Sequence, residues 1–236
     1  LLTNLRTSRG SVLNNRGTGS GGEESESELL DSDVAYFSQT GTPNNGGVGL
    51  SLANCTFENP CGPTDFSQTG VNTLNSLLPN TLMFFNGGTY NALDATGSNP
   101  ITLNSGQGVN ARTADYSQAA TGSGRSVFNG AFILNTNNTL ANIILLPTAA
   151  TASGTGVTDN NGTNDFIRGS QIGNINNLYN VGVVISTNQL TITNSVIFGN
   201  NRGIRADNGS VLFIQGSQIN TVSPSGGTTG ISASNS

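Results

Sequence analysis

The hexapeptides "IRGSQI" (Ile167–Ile172), "ITNSVI" (Ile192–Ile197) and "IQGSQI" (Ile214–Ile219) share the frame I-x-x-S-x-I and begin 25 and then 22 residues apart. A looser copy, Leu140-Ala-Asn-Ile143-Ile-Leu145, starts 27 residues before Ile167. A second series runs in phase with the first: Gly156-Val157, Gly182-Val183, Gly203-Ile204 and Gly230-Ile231. Internal periods of this length mark solenoids. The L-x-x-L-x-L-x-x-N series of leucine-rich repeats is absent, and a chain so rich in Asn, Gly and Thr does not suit helical repeats. The reading is an all-β chain, a right-handed parallel β-helix whose variable period reflects turns of different length at its corners.

In such a solenoid alternate residues of each short strand point inward and stand on their counterparts one coil away, about 4.8 Å distant. The expected core stack is Leu140, Ile143, Leu145, Ile167, Ile172, Leu190, Ile192, Ile197, Leu212, Ile214 and Ile219. Ser170, Ser195 and Ser217 are expected to form a ladder at one corner. Stacking of this kind lets a narrow core suffice, which matters because only 34% of the residues are hydrophobic.

Charged residues make up 9% of the chain, against about 25% in ordinary soluble domains. The net charge is −5, and residues beyond 34 carry five Arg against seven acids. With no basic stripe to neutralise phosphates, nucleic acid is excluded as a partner, and so is attraction to an anionic membrane surface. No apolar run approaches the roughly 20 residues of a spanning helix. The chain begins at Leu1 and stops at Ser236 inside its own repeat. It is therefore expected to be a fragment, attached to a membrane only through an anchor outside it.

Residues 1–46 contain "NNRGTGSGGEESESELLDSD" and read as a disordered Gly/Ser and acidic leader. Residues 47–236 are expected to form the β-helix, with a cap over about 52–90 and coils over about 91–236. Within the cap, Val71, Leu74, Leu77 and Leu78 have helical spacing and Pro79 stops the run. A short N-terminal helix laid over the first coil would hide its open strand edges. Cys55 and Cys61 are candidates for a small disulfide loop in an exported chain, with two reduced thiols as the alternative.

With no His and two Cys, neither a metal site nor a cofactor is expected. The best polar constellation is Asp159 and Asp165 in one loop together with Arg168, Arg202, Arg205 and Asp207. Turn Asp residues are common in such loops, so no catalytic role is assigned to them.

The stretch "FENPCGPTDFSQTGVNTLNSLLPNTLMFFNGGTY" (Phe57–Tyr90) is similar to the opening of right-handed β-helix domains on bacterial surfaces. The remainder resembles passenger domains of autotransporter-like, type V secreted proteins, including chlamydial polymorphic outer membrane proteins. "FGNN" (Phe198–Asn201) matches an F-x-x-N element of the latter, although "RGIRA" stands where G-G-A-I would follow. The resemblance implies a location at the bacterial cell surface or outside the cell. It also implies adhesion to a protein or glycan of a host or neighbouring cell.

Taken together, these features lead us to expect a non-catalytic adhesive rod presenting loops such as Pro147–Thr155 and Thr221–Thr229. Two alternatives stay open. One is a carbohydrate-active β-helix, either a polysaccharide lyase or hydrolase or a glycan-binding module. The other is a filament or surface layer built by end-to-end self-association.

Overall fold

The computed structural model describes residues 4–6, 12–14, 34–42, 55–66, 77, 79–93, 98–160, 162–186, 189–207, 209–222 and 229–233. The acidic cluster Glu23–Asp33, most of the loop Thr221–Thr229 and most of the expected helix around Val71–Leu78 lie outside these residues.

The described residues wind as a parallel β-helix. One face is a seven-stranded sheet. Its strands are, in order, Val34–Thr42, Leu82–Asn86, Gly108–Arg112, Thr139–Ala141, Asp165–Arg168, Gln189–Thr193 and Val211–Gln215. All its neighbouring pairs are parallel. An eleven-stranded sheet wraps the other two faces. The long strand Val196–Asp207 turns from the second face to the third, pairing first with Gln218–Thr221 and then with Thr229–Ala233.

The register stacks like on like. On the first face Met83, Val109, Leu140, Ile167, Ile192 and Ile214 form one inward column. On the second face Tyr90, Phe128, Leu145, Ile172, Ile197 and Ile219 form another. On the third, Ile101, Phe132, Val157, Val183, Ile204 and Ile231 follow. Ile143, Leu190 and the inner members of these columns are fully buried. On the last described coil, Leu212 and Ile219 are only partly buried and Ile214 is 37% exposed, because no further described strand covers them.

The hexapeptide builds the corner between the first and second faces. Its third residue takes the left-handed conformation on successive coils: Asn142, Gly169, Asn194 and Gly216, with φ of 59°, 59°, 49° and 61°. Only Gly and, at small cost, Asn accept this conformation readily. The fourth residue then supplies a hydroxyl where the backbone ladder turns. Ile143 N–H donates to Ser170 Oγ at 3.3 Å, Ser170 N–H to Ser195 Oγ at 3.2 Å, and Ser195 N–H to Ser217 Oγ at 3.1 Å.

The N-terminal end differs from the sequence reading in two respects. The ordered stack begins within the expected leader, since Val34–Thr42 pairs with Leu82–Asn86 and buries Ala35, Tyr36 and Phe37. A short antiparallel pair, Asn4–Arg6 with Val12–Asn14, also falls there. The apolar quartet Val34–Phe37 is the physical reason: once paired, it removes aromatic surface from water. The expected helical cap is not supported either. The described helix is a single turn, Pro63–Phe66, and the described Leu77 sits in a bend with its side chain buried. The first strand is covered instead by the Cys55–Phe66 segment. Tyr36 N–H donates to Cys55 O at 2.9 Å, and Phe37 bridges to Cys61. Phe66 closes the column, edge-on to Phe85 at 4.9 Å and to Phe128 at 5.4 Å.

Candidate functional site

Residues on the outer side of a strand alternate with the core, so the same register that stacks the core also stacks what faces solvent. On the first face one outer column reads Leu82, Gly108, Thr139, Phe166, Thr191 and Phe213. Leu82 and Phe166 are each 41% exposed and Phe213 is 53% exposed, with half-buried Thr191 between the two rings. The neighbouring outer column reads Phe84, Asn110, Ala141, Arg168, Thr193 and Gln215. Arg168 and Gln215 are exposed and Asn110 and Thr193 are half-buried. The Asn142 amide donates to Asn110 Oδ1 at 3.1 Å, which fixes one polar group on this side.

Two coils nearer the N-terminus the face opens into a cleft of about 480 Å³ lined by Asn86, Arg112, Thr113, Gln118, Thr121 and Gly124. Arg112 lies 4.9 Å over the Phe84 ring and donates to the carbonyls of Tyr116 and Ser117 at 3.0 and 2.9 Å. Beside the cleft, the exposed Asp115 carboxylate accepts from the Thr113 and Ser117 hydroxyls and from Ser117 N–H. The Thr113 hydroxyl first, then Ser117, holds its pKa down to about 2, so Asp115 is ionised at any physiological pH.

The six-residue polar constellation of the sequence analysis divides into three parts. Asp159 and Asp165 come together at an inner corner, both completely buried. Arg168 stands on the outer side of the first face, in register with Thr193. Arg205 and Asp207 form an ion pair at 3.1 Å on the third face, whose strand also carries Arg202, in register with Val181. The division follows from the alternation of the strands, since residues near in sequence leave the sheet on opposite sides. Burial denies Asp159 and Asp165 contact with a bound chain. Cys55 and Cys61 are joined by a disulfide, with Cα atoms 4.8 Å apart, at the first coil. Among the described residues no three of His, Cys, Asp and Glu gather as a metal set. No described helix is long and apolar enough to cross a membrane.

The outer aromatic column was missed in the sequence, although the signal was present. "DFIR" and "VLFIQ" each set a Phe one residue before a core Ile, which turns the ring outward.

No protein-family model matches the chain, and no curated protein matches it. Among solved structures, it is similar to the crystal structure of pectate lyase Pel9A, at 15% identity and a TM-score of 0.36. The match covers 77% of this chain and 61% of that one, so the chain spans less than two thirds of its length. That protein is an enzyme, which runs against the expectation of a non-catalytic rod. The expectation is withdrawn, and a match this distant assigns no activity in its place.

Proposed function

We propose that the outer side of the first face binds an extended polysaccharide outside the cell. The observation that carries this reading is the column Phe166, Thr191, Phe213 beside Arg168, Thr193 and Gln215. An aromatic ring in water offers a flat apolar surface that fits the C–H face of a sugar ring. Hydroxyl, amide and guanidinium groups in the next column suit the sugar hydroxyls. Two coils separate the rings, about 9.6 Å at the usual strand spacing, comparable with two sugar units of an extended chain. Apolar surface rimmed by polar residues is the pattern of a ligand-binding groove. The disulfide fits an oxidising, extracellular setting. The resemblance to surface-held passengers fits a glycan partner on a neighbouring cell.

Titration calorimetry against a panel of neutral and acidic polysaccharides tests the proposal, with a reducing-end assay alongside to read whether bound chains are cut. Phe166→Ala and Phe213→Ala are each expected to weaken binding about tenfold, the equivalent of about 1.4 kcal/mol. Their unfolding midpoints should stay near that of the parent, since both rings lie at the surface. Binding unchanged in the double variant, or no polysaccharide bound at all, would overturn the reading.

A further inference from the structure

A second, polar column runs inside the first face, two residues ahead of the core column. It consists of Thr81, Gln107, Asn138 and Asp165, each 1% exposed or less. The parallel bonds that follow it are Gly108 N–H to Thr81 O, Thr139 N–H to Gln107 O, and Phe166 N–H to Asn138 O. At two of these corners the side chain of the column closes a small turn over the residue three positions earlier. Gln107 Oε1 accepts Asn104 N–H at 2.9 Å, and Asn138 Oδ1 accepts Asn135 N–H at 2.6 Å. The free Asn138 amide group then reaches back one coil and donates to Asn104 O at 2.6 Å and Gln107 O at 3.0 Å.

One coil later the same position holds a carboxyl. Asp165 Oδ1 accepts Asn138 N–H at 2.6 Å. Asp165 Oδ2 is buried and has no hydrogen-bond partner. Where Asn138 turns an N–H₂ toward Asn104 O, Asp165 turns an oxygen toward Asn135 O, the equivalent carbonyl. Gly162 makes the approach possible, because a β-carbon there would collide with both Asn135 O and Asp165 Oδ2. The Asp159 carboxyl lies against the same group. Two acceptor oxygens and a second carboxyl thus converge where the preceding coil has a pair of donor hydrogens.

Either a proton or a cation has to replace those hydrogens, since buried acceptors facing one another repel. We infer that Asp159, Asp165 and the Asn135 carbonyl hold one hard metal cation of the calcium class, which pins the turn at Gly162 to the coil before it. Hard divalent cations choose such carboxylate and carbonyl oxygens, and two carboxylates balance their charge. The expectation of a metal-free chain rested on the absence of His and the presence of only two Cys, ligand types that this class of ion does not use.

The test is thermal unfolding of the whole chain at pH 8, with Ca²⁺ and with a chelator, together with calorimetric titration of Ca²⁺ into the chelated protein. Ca²⁺ is expected to raise the midpoint by several degrees and to bind with a stoichiometry of one. Asp165→Asn should unfold at the same temperature with and without Ca²⁺, because its amide would donate to Asn135 O as Asn138 does to Asn104 O. If that variant does not fold, the calorimetric titration of the parent chain decides. No heat of binding and no shift of the midpoint would overturn the inference.

Discussion

Asp165 occupies a position where the neighbouring coil uses an amide, and its titration reflects that exchange. Burial, chiefly, and the adjacent Asp159 push its pKa up to about 7 from an ordinary 3.8, against the lowering effect of the Asn138 N–H. Without a bound cation the folded chain therefore holds a proton between about pH 4 and pH 7 that the unfolded chain has released. Stability is then greatest below the unfolded value and declines as pH rises through that window. Urea unfolding of the chelated protein at pH 5 and pH 8 should give a higher midpoint at pH 5. In Asp165→Asn the difference should shrink, and an equal difference in both proteins would sink the assignment to Asp165. The two Asp were legible in the sequence as neighbours in one loop. Their burial was not, because it depends on corner positions (Gln107, Asn138, Asp165) whose residue type changes and whose spacing drifts from coil to coil, which hides the repeat.

At the scale of the element, the hexapeptide works because each of its positions has a separate physical duty. The first and last residues fill columns, the third bends the chain and the fourth accepts an N–H from the coil before. The sequence revealed the aliphatic and Ser positions directly. The third position looked variable, since Asn and Gly alternate down the corner, yet both are chosen for one backbone conformation. A side chain at Gly216 would meet Asn194 Oδ1 at 2.5 Å, so the Asn of one coil folds into the space left by the Gly of the next.

The columns predict unequal costs for equal truncations. Ile192 lies between Ile167 and Ile214 with strands paired on both sides. Those strands cannot close in, and Ile192→Ala should cost about 2–5 kcal/mol. Ile214→Ala should cost clearly less, since that residue is 37% exposed. Urea denaturation of the two variants compares them, and equal losses would mean that the column does not end where it is drawn.

The whole molecule changes character along its axis. The first coils are aromatic, with Phe37 stacked on Phe85 at 4.6 Å and Tyr90 on Phe128 at 5.4 Å, and the later columns are aliphatic. Aromatic residues bury more area each, which suits the first described coils, where the Cys55–Phe66 segment covers the strand edge. This gradient explains why the sequence misplaced the start of the fold. Tyr36 and Phe37 lie before any copy of the aliphatic frame and follow a Gly/Ser and acidic stretch, so composition assigned them to the leader. The edge-covering duty expected of a helix falls instead to the disulfide-linked segment Cys55–Phe66, whose contacts are with strands distant in sequence and leave no local pattern.

The central claim is that successive repeats lie one above another at a single strand spacing, and paired spin labels on the outer column measure it. Leu82 and Phe213 are five coils apart in register and Thr139 and Phe213 three. Moving the first label from position 82 to position 139, with the second fixed at 213, should shorten the distance by about 10 Å, whatever the label's own reach. A distance that stays the same or grows on that move would contradict the account.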